Sequence, residues 1–300
     1  MSDEAKKQKL VWIVIDTETT GLDPDKDRVV EISAVRWQRG QEPEVLVDTL
    51  VNPGIPIPPV ASAIHHITDP DVVGAPLIGA VIDEIKAKIP PDADPIFCAH
   101  NAAFDRSMLP DLAHHRWLCT MRLAMHLWPT APGHGNQVLR YWRKLEVPKD
   151  TPTHRAFGDI LVTGRLLENE VAAYRAEVHP VVDPQAILEF ADSPLWIYRM
   201  PFGKHRDWPV HTIPASYMRW ALANASTMST DLRATLERIQ GNDSPPSWAI
   251  EAAATEASES MPPPEWAPVA LALEKRFLDA KTNQRSVGDD QQQMPFSGSA

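Results

Sequence analysis

Hydrophobic and polar positions follow two different periods in the first part of the chain. Apolar stretches rich in Val and Ile, each ended by polar or turn-forming residues, predict strands at 10–16, 28–37, 45–51 and 95–99. Short turns separate the first three, as in an antiparallel meander. A one-sided helical spacing of apolar residues over 77–89 predicts a helix before the fourth strand.

Helical periodicity then returns at 120–128, 136–145 and 156–175. A meander followed by a helix, a strand and further helices predicts an α/β fold in which helices pack on a mixed sheet. We expect this domain to span residues 10–178, after a flexible N-terminus at 1–9.

The rest of the chain changes character twice. Pro180 and Pro184 bracket a short connector, and residues 185–240 are expected to form a small α-rich unit. Ser, Glu, Ala and Pro dominate residues 241–300, which predicts an acidic disordered tail with a possible helix at 267–280.

Composition narrows the class of protein. The 43% hydrophobic content supports a real core, and no apolar stretch approaches the roughly 20 residues of a membrane span. The first residues lack the apolar segment of a signal peptide, and Cys98 and Cys119 show no disulfide or zinc pattern, so we expect a cytoplasmic protein. The net charge of −11 argues against an unstructured basic nucleic-acid binder. This net charge is still compatible with a nucleic-acid substrate, provided that metal ions neutralise the negative charge of a carboxylate cluster.

The first predicted strand runs directly into two acids. Asp16 and Glu18 are two positions apart, so their side chains point to the same face. Neighbouring carboxylates repel, and partial burial makes both harder to ionise, so we expect a cation between them. The alternative is a solvated strand end that carries two unrelated acids.

Two later segments place an acid beside the start of a helix. HNAAFD puts Asp105 shortly after the fourth strand, with Asn101 as a plausible cap residue. HRAFGD puts His154 before a helix and Asp159 in its first turn. Each segment alone also fits ordinary helix-start chemistry, because acids there interact favourably with the helix dipole.

Together, the three segments resemble the DnaQ-like, or DEDD, superfamily of 3′–5′ exonucleases, in the DEDDh branch with His five residues before the last Asp. The matching motifs are DTETTGL, HNAAFD and HRAFGD. The resemblance implies an RNase H-like mixed β-sheet flanked by helices. It also implies catalytic roles for Asp16, Glu18, Asp105, His154 and Asp159.

The resemblance further implies a two-metal site for Mg²⁺ or Mn²⁺ that hydrolyses phosphodiester bonds. Asp16, Glu18, Asp105 and Asp159 would hold the two cations, with Asp16 bridging them. His154 would be the general base, because imidazoles titrate near neutral pH.

The same resemblance suggests which residues contact the substrate. It places Thr20, Gly21 and Leu22 around the 3′-terminal nucleotide, and Asn101 and Phe104 beside the next one. For Phe104, packing in the core is an equal alternative.

A narrower resemblance extends over residues 11–240, to the bacterial exodeoxyribonuclease X family, through CAHNAAFDRSMLP, FGKHR and YMRWAL. The sequence departs at Asp207, where relatives usually have Gly. In the small unit Lys204, His205 and Arg206 lie beside aromatic residues and are possible DNA contacts. The alternative is that the aromatic residues form the core of this unit.

The tail contains QQQMPF at 291–296, which resembles the short peptides that bind the bacterial sliding clamp. Gln291 would bind through hydrogen bonds, and Met294 and Phe296 would occupy an apolar pocket. A chance match in a Gln-rich tail is the alternative.

We therefore expect a metal-dependent exonuclease that removes nucleotides from DNA 3′ ends, on single strands or 3′ overhangs, in repair or proofreading. An exoribonuclease of the same fold is the alternative, because the 2′-OH contacts that separate RNA from DNA are local. A non-catalytic, clamp-tethered adaptor is a third possibility, against which the intact acids and His154 argue.

Overall fold

A computed structural model describes residues 9–260, 262–276 and 278, and the chain divides into two compact units, Met1–Ser193 and Pro194–Ala300. Within the residues that the structure describes, the first unit contains five strands. They are β1 (Lys9–Thr19), β2 (Val29–Trp37), β3 (Glu44–Leu50), β4 (Ala93–Ala99) and β5 (Arg116–Cys119).

The five strands form one mixed sheet in the order β3-β2-β1-β4-β5. β1, β2 and β3 are antiparallel neighbours, which confirms the predicted meander, and β4 and β5 run parallel to β1. The four-residue β5 was not predicted, because it is too short to show a period. This arrangement confirms the α/β, RNase H-like fold class.

Among the described residues of the first unit there are seven α-helices. They are α1 (Pro59–His65), α2 (Ile78–Lys88), α3 (Ala102–Met108), α4 (Thr120–Leu127), α5 (Asn136–Trp142), α6 (Ala156–Glu177) and α7 (Pro184–Asp192). Alternate residues of β1 face two different apolar clusters. Ile13 and Ile15 pack with α2 and α3, whereas Val14 packs with α4, α6 and α7. The sheet is therefore covered on both faces.

The structure places the boundary between the units after Ser193, whereas the sequence suggested that the second unit begins at 185. The difference is α7, because its apolar face packs into the first unit. Ile187, Leu188 and Ala191 are buried in the cluster that contains Val14.

In the second unit, the sequence-based prediction for residues 241–300 was partly wrong. The unit contains α8 (Ala215–Asn224), α9 (Thr230–Gln240) and α10 (Ser247–Glu259), and residues 267–276 are helical. α10 falls inside the predicted disordered tail. Its small residues, including Ala253 and Ala257, bury an apolar face with Trp266. An Ala-lined face of this kind has little hydrophobic contrast in the sequence.

Two features of the tail stay predictions. Residues 277 and 279–280 of the predicted helix and the 291–296 motif lie outside the described residues. Within the part of the chain that the structure describes, no helix combines the length and the apolar character needed to cross a membrane.

Candidate active site

Three acids from distant parts of the sequence meet at the end of β1. Asp16 and Glu18 lie on the same face of β1, and Asp159 lies in the first turn of α6, which packs on β1 and β2. One oxygen from each carboxylate lies within 4.8 Å of the other two. The structure therefore joins the first and third motifs into one cluster.

Asp105 lies next to this cluster but outside the group of three oxygens. Asp105 is 2% exposed, and the Thr17 hydroxyl donates a hydrogen bond to Asp105 Oδ1 at 2.9 Å. Burial raises the pKa of Asp105 to about 7, despite that hydrogen bond. Its charge in turn helps to raise the pKa of Asp16.

The cluster is electrostatically unfavourable on its own. Burial raises the pKa of Asp16 well above its usual range, and Asp105 and Asp159 raise it further. Burial, followed by the charges of Asp159 and Glu31, raises the pKa of Glu18 to about 8. A cation between the carboxylates would remove this repulsion, and oxygen donors of this kind suit hard divalent ions. The residues present therefore fit a metal site.

His154 borders the same cavity as the acids. The cavity measures 410 Å³ and is lined by Asp16, Thr17, Glu18, His100, Gly135, Asn136, Gln137, Val138, His154 and Asp159. His154 is exposed and has a left-handed backbone, with φ 55°. Its backbone N–H donates to Asp159 Oδ2 at 3.0 Å, so the backbone of the predicted base is tied to a cluster acid.

Glu31 is a fifth acid at the site, which the sequence analysis missed. It is buried on β2, opposite Glu18 in the β1–β2 pairing. It accepts hydrogen bonds from Arg155 Nε at 3.0 and 3.1 Å, from Arg155 Nη2 at 2.5 Å and from the Ala156 N–H at 3.0 Å. Glu31 therefore fixes the start of α6 beside His154. An acid inside the apolar stretch RVVEISAV was the signal that could have identified it.

Residues at the start of α5 also donate hydrogen bonds to Asp159. Gln137 Nε2 donates to Asp159 Oδ1 at 2.9 Å, and Asn136 Nδ2 donates to the Asp159 carbonyl oxygen at 3.2 Å. Arg140 Nη1 in turn donates to Gln137 Oε1 at 3.3 Å. The sequence around these three residues shows no pattern that would have marked them in advance.

The three residues predicted around the terminal nucleotide differ in accessibility. Thr20 is buried, and its hydroxyl donates to Asp27 Oδ1 at 2.9 Å and accepts from the Arg28 N–H at 3.0 Å. A Cβ on Gly21 would lie 2.4 Å from Asp27 Oδ2, so any side chain there would have to displace the Asp27 carboxylate. The side chain of Leu22, by contrast, is 83% exposed. Of these three side chains, Leu22 is the one available to a ligand.

In the second motif, HNAAFD, the residues predicted to contact the substrate also have roles in the fold. Asn101 occupies the N-cap position of α3 with φ 74°, but its side chain makes no capping hydrogen bond. Phe104 packs against the apolar cluster on the α2–α3 side, as the alternative interpretation held. His100 is bonded on both ring nitrogens, to Thr120 Oγ1 at 2.9 Å and to the His134 carbonyl at 2.7 Å. Burial lowers its pKa to about 4, so the ring is neutral at pH 7.

In the second unit, the structure corrects one predicted DNA contact. His205 is buried, because its ring packs at 4.4 Å from Trp208 and at 4.7 Å from Tyr217. Lys204 and Arg206 are exposed on either side of it. Lys204 and Arg206 therefore stay predicted DNA contacts, whereas His205 belongs to the interior of the unit.

A mixed sheet with clustered carboxylates beside its central strand is the arrangement expected of a DnaQ-like nuclease. The family model described as "Exonuclease" matches residues 13–167, more than half of the chain. The chain belongs to this exonuclease family, and it is a hydrolase.

Among known proteins, the chain is 34% identical over 236 residues to exodeoxyribonuclease 10 of Escherichia coli strain K12. That match covers 76% of this chain and 98% of the relative. It is also 34% identical over 183 residues to a DNA polymerase III subunit epsilon-like protein of Rhodobacter capsulatus, covering 58% of this chain and 25% of that protein.

A solved structure of exonuclease X in complex with 5′ overhanging duplex DNA is also similar. It shares 34% sequence identity with a TM-score of 0.49, and the match covers 60% of this chain and 99% of that one. Members of the exonuclease family normally use divalent metal ions, in keeping with the acid cluster described above.

Proposed function

We propose that this protein is a metal-dependent 3′–5′ exodeoxyribonuclease that acts on single strands or 3′ overhangs, in repair or proofreading. The observation that carries the proposal is the convergence of Asp16, Glu18 and Asp159 within 4.8 Å, beside His154, in one open cavity. DNA as the substrate is supported by the 34% identity to an exodeoxyribonuclease over nearly the whole of that relative.

Asp16, Glu18 and Asp159 would hold two divalent ions, Mg²⁺ or Mn²⁺, with Asp105 completing the set. When bound, the ions lower the pKa of water and stabilise the leaving 3′ oxygen. The protein's own contribution is to keep these carboxylates together against their mutual repulsion. Gln137 and the His154 N–H do this for Asp159, since each donates to one of its carboxylate oxygens.

His154 would take the proton of the attacking water. Its exposure allows the ring to reach a substrate in the cavity, and its backbone bond to Asp159 keeps it beside the acids. Glu31 also helps to hold His154 in place, because it accepts hydrogen bonds from Arg155 and from the Ala156 N–H, the two residues that follow His154.

The test is hydrolysis of a single strand carrying a 5′ label, compared with the same strand carrying a 3′ label, in Mg²⁺, in Mn²⁺ and in EDTA. We expect a descending ladder from the 5′ label, immediate release of a mononucleotide from the 3′ label, and no product in EDTA. The Asp16→Asn variant should be inactive, and Asp83→Asn, at an exposed position on α2, should match the wild type.

An RNA strand of the same sequence decides the substrate. Faster cleavage of RNA would assign the alternative, an exoribonuclease. Release from the 5′ end, or full activity of Asp16→Asn, would contradict the proposal.

A further inference from the structure

One face of α5 is apolar, exposed and continuous with the catalytic cavity. The helix begins at the cavity, because its first three residues, Asn136, Gln137 and Val138, are among the residues that line it. Val138 is 43% exposed, Tyr141 is 73% exposed and Trp142 is 38% exposed. Residues three and four apart lie on the same side of a helix, so these three form one surface. Tyr141 is about 4.5 Å further along the helix than Val138.

The segment that carries this face is basic in an acidic protein. Residues 136–149 contain four basic side chains and one acidic one, whereas the whole chain has a net charge of −11. The basic residues are Arg140, Arg143, Lys144 and Lys149.

The two arginines stiffen the aromatic surface. Arg140 lies 5.5 Å from the centre of the Tyr141 ring, and Arg143 lies 5.3 Å from that of Trp142. Arg143 is also fixed by Asn169, whose Oδ1 accepts from Arg143 Nε at 2.8 Å. An aromatic ring held by such contacts costs little entropy when a ligand stacks on it.

The two lysines are available to a ligand. Lys144 and Lys149 are exposed. Within the described part of the chain, neither ammonium group has an ion pair or a side-chain hydrogen bond. Their positive charge lies in the same short segment as the aromatic face.

We propose that this surface, defined by Val138, Tyr141 and Trp142 and followed along the chain by Lys144 and Lys149, binds the single strand that leads out of the catalytic cavity. A base on the 5′ side of the scissile bond stacks on Tyr141, and the lysines contact phosphates. Aromatic side chains beside a basic track are the usual means of binding single strands without sequence preference. The proposal rests on the proposed function, because it takes the 3′ end to lie in the cavity.

Charge and continuity favour nucleic acid over a protein partner for this face. A hydrophobic partner helix would gain nothing from unpaired lysines, whereas phosphates are attracted to them. The strand must also pass beside whatever borders the cavity, and α5 is part of that border.

The test compares Tyr141→Ala and Tyr141→Phe with the wild type, in a full-length Asp16→Asn background that prevents hydrolysis. Binding of a labelled strand of about 12 nucleotides is followed by fluorescence anisotropy. Tyr141→Ala should raise Kd about 5- to 100-fold, the usual value of one stacked base, and Tyr141→Phe should stay close to the wild type. Circular dichroism checks that each variant is folded.

Charge reversal tests the lysines separately. Lys144→Glu and Lys149→Glu should each reduce the slope of log Kd against log salt by about 0.7 or more, as expected for a lost phosphate contact on a single strand. Lys86→Glu, an exposed site on α2, is the matched control and should leave the slope unchanged.

Turnover separates this surface from the catalytic site. In the otherwise wild-type enzyme, Tyr141→Ala should raise KM for the long strand and leave kcat unchanged. Wild-type Kd for Tyr141→Ala, with DNA hydrolysis intact, would overturn the surface and spare the proposed function. Weakened binding by Tyr141→Ala, with a wild type that hydrolyses no nucleic acid, would support the surface and overturn the function. An unchanged Kd for Tyr141→Ala, which overturns the nucleic-acid surface, would point to a protein partner for this face instead.

Discussion

At the scale of single residues, the acids of the cavity are held against their own electrostatic preference. Glu18 has a pKa of about 8, raised from 4.5 chiefly by burial. The folded protein without metal therefore binds a proton at this position that the unfolded chain releases above pH 4.5. Stability falls with rising pH when the folded state holds more protons, so Glu18 lowers the stability progressively between about pH 4.5 and 8.

This predicts how Glu18→Gln behaves in EDTA. The wild type should lose several degrees of melting temperature between pH 5 and pH 8, and the variant should lose clearly less, because Gln has no proton to release. Melting curves by circular dichroism measure this, with Glu42→Gln at an exposed position as the control. Parallel pH profiles for the wild type and Glu18→Gln would show that Glu18 ionises without cost.

His154 gives the second prediction. Its replacement by Ala should reduce kcat by roughly 10²–10⁴, the usual contribution of a general base, while the melting temperature changes little because the ring is exposed. Single-turnover hydrolysis of a short strand measures the chemical step. His114→Ala, at another exposed histidine, should retain full activity. A His154→Ala enzyme within a factor of three of the wild type would assign the base to another group.

The motif residues could be predicted from the sequence because their spacing is local. Asp16 and Glu18 share a strand face, and His154 and Asp159 flank one helix start. Glu31 could not be placed, since its partners Arg155 and Ala156 are more than 120 residues away and adjoin it only through the packing of α6 on the sheet.

At the scale of elements, α6 is positioned by its first turn. Glu31 accepts from both Arg155 and the first backbone N–H of the helix. In Glu31→Ala these donors lose their acceptor, which should reduce the free energy of unfolding by about 1–3 kcal/mol, discounted for the partly exposed Arg155. The Mg²⁺ concentration needed for half-maximal rate should also rise, because Asp159 lies in that turn.

Glu31→Gln is the informative comparison. It keeps an oxygen acceptor for the Ala156 N–H and loses the charge that pairs with Arg155, so its effects should lie between those of the wild type and Glu31→Ala. Urea unfolding and a Mg²⁺ titration of the rate provide the two measurements. An unchanged Mg²⁺ requirement in Glu31→Ala would mean that the start of α6 keeps its position without this residue.

Element boundaries were predictable where hydrophobic contrast is strong and not where it is weak. The Val- and Ile-rich strands and the one-sided α2 stand out from their surroundings. α10 does not, because Ala and Ser on its buried side differ little from a solvated segment. α7 has a clear apolar face, but nothing in its sequence tells which unit that face will meet.

At the scale of the whole molecule, α7 decides where the catalytic unit can be cut. A chain ending after Ser193 keeps Ile187 and Leu188 in the core, whereas a chain ending at 183 removes both. Fully burying a side chain of this size contributes about 1.5–3 kcal/mol, so the shorter chain should be less stable by about 3 kcal/mol or more.

We expect the chain that ends after Ser193 to unfold cooperatively and to hydrolyse short single strands at the rate of the full protein. Urea unfolding and trinucleotide turnover test both statements on the two truncated chains and the full one. Equal stability of the two truncated chains would contradict the contribution of α7.

The distance between the motifs along the chain has a consequence for biosynthesis. Asp16 and Glu18 leave the ribosome early, whereas Asp159 joins them only after α6 has been made and has packed on β1 and β2. An incomplete chain thus contains two of the clustered acids but no assembled centre. A chain that ends anywhere before α6 therefore lacks Asp159 and cannot assemble the cluster of three carboxylates, so this centre forms only late in synthesis.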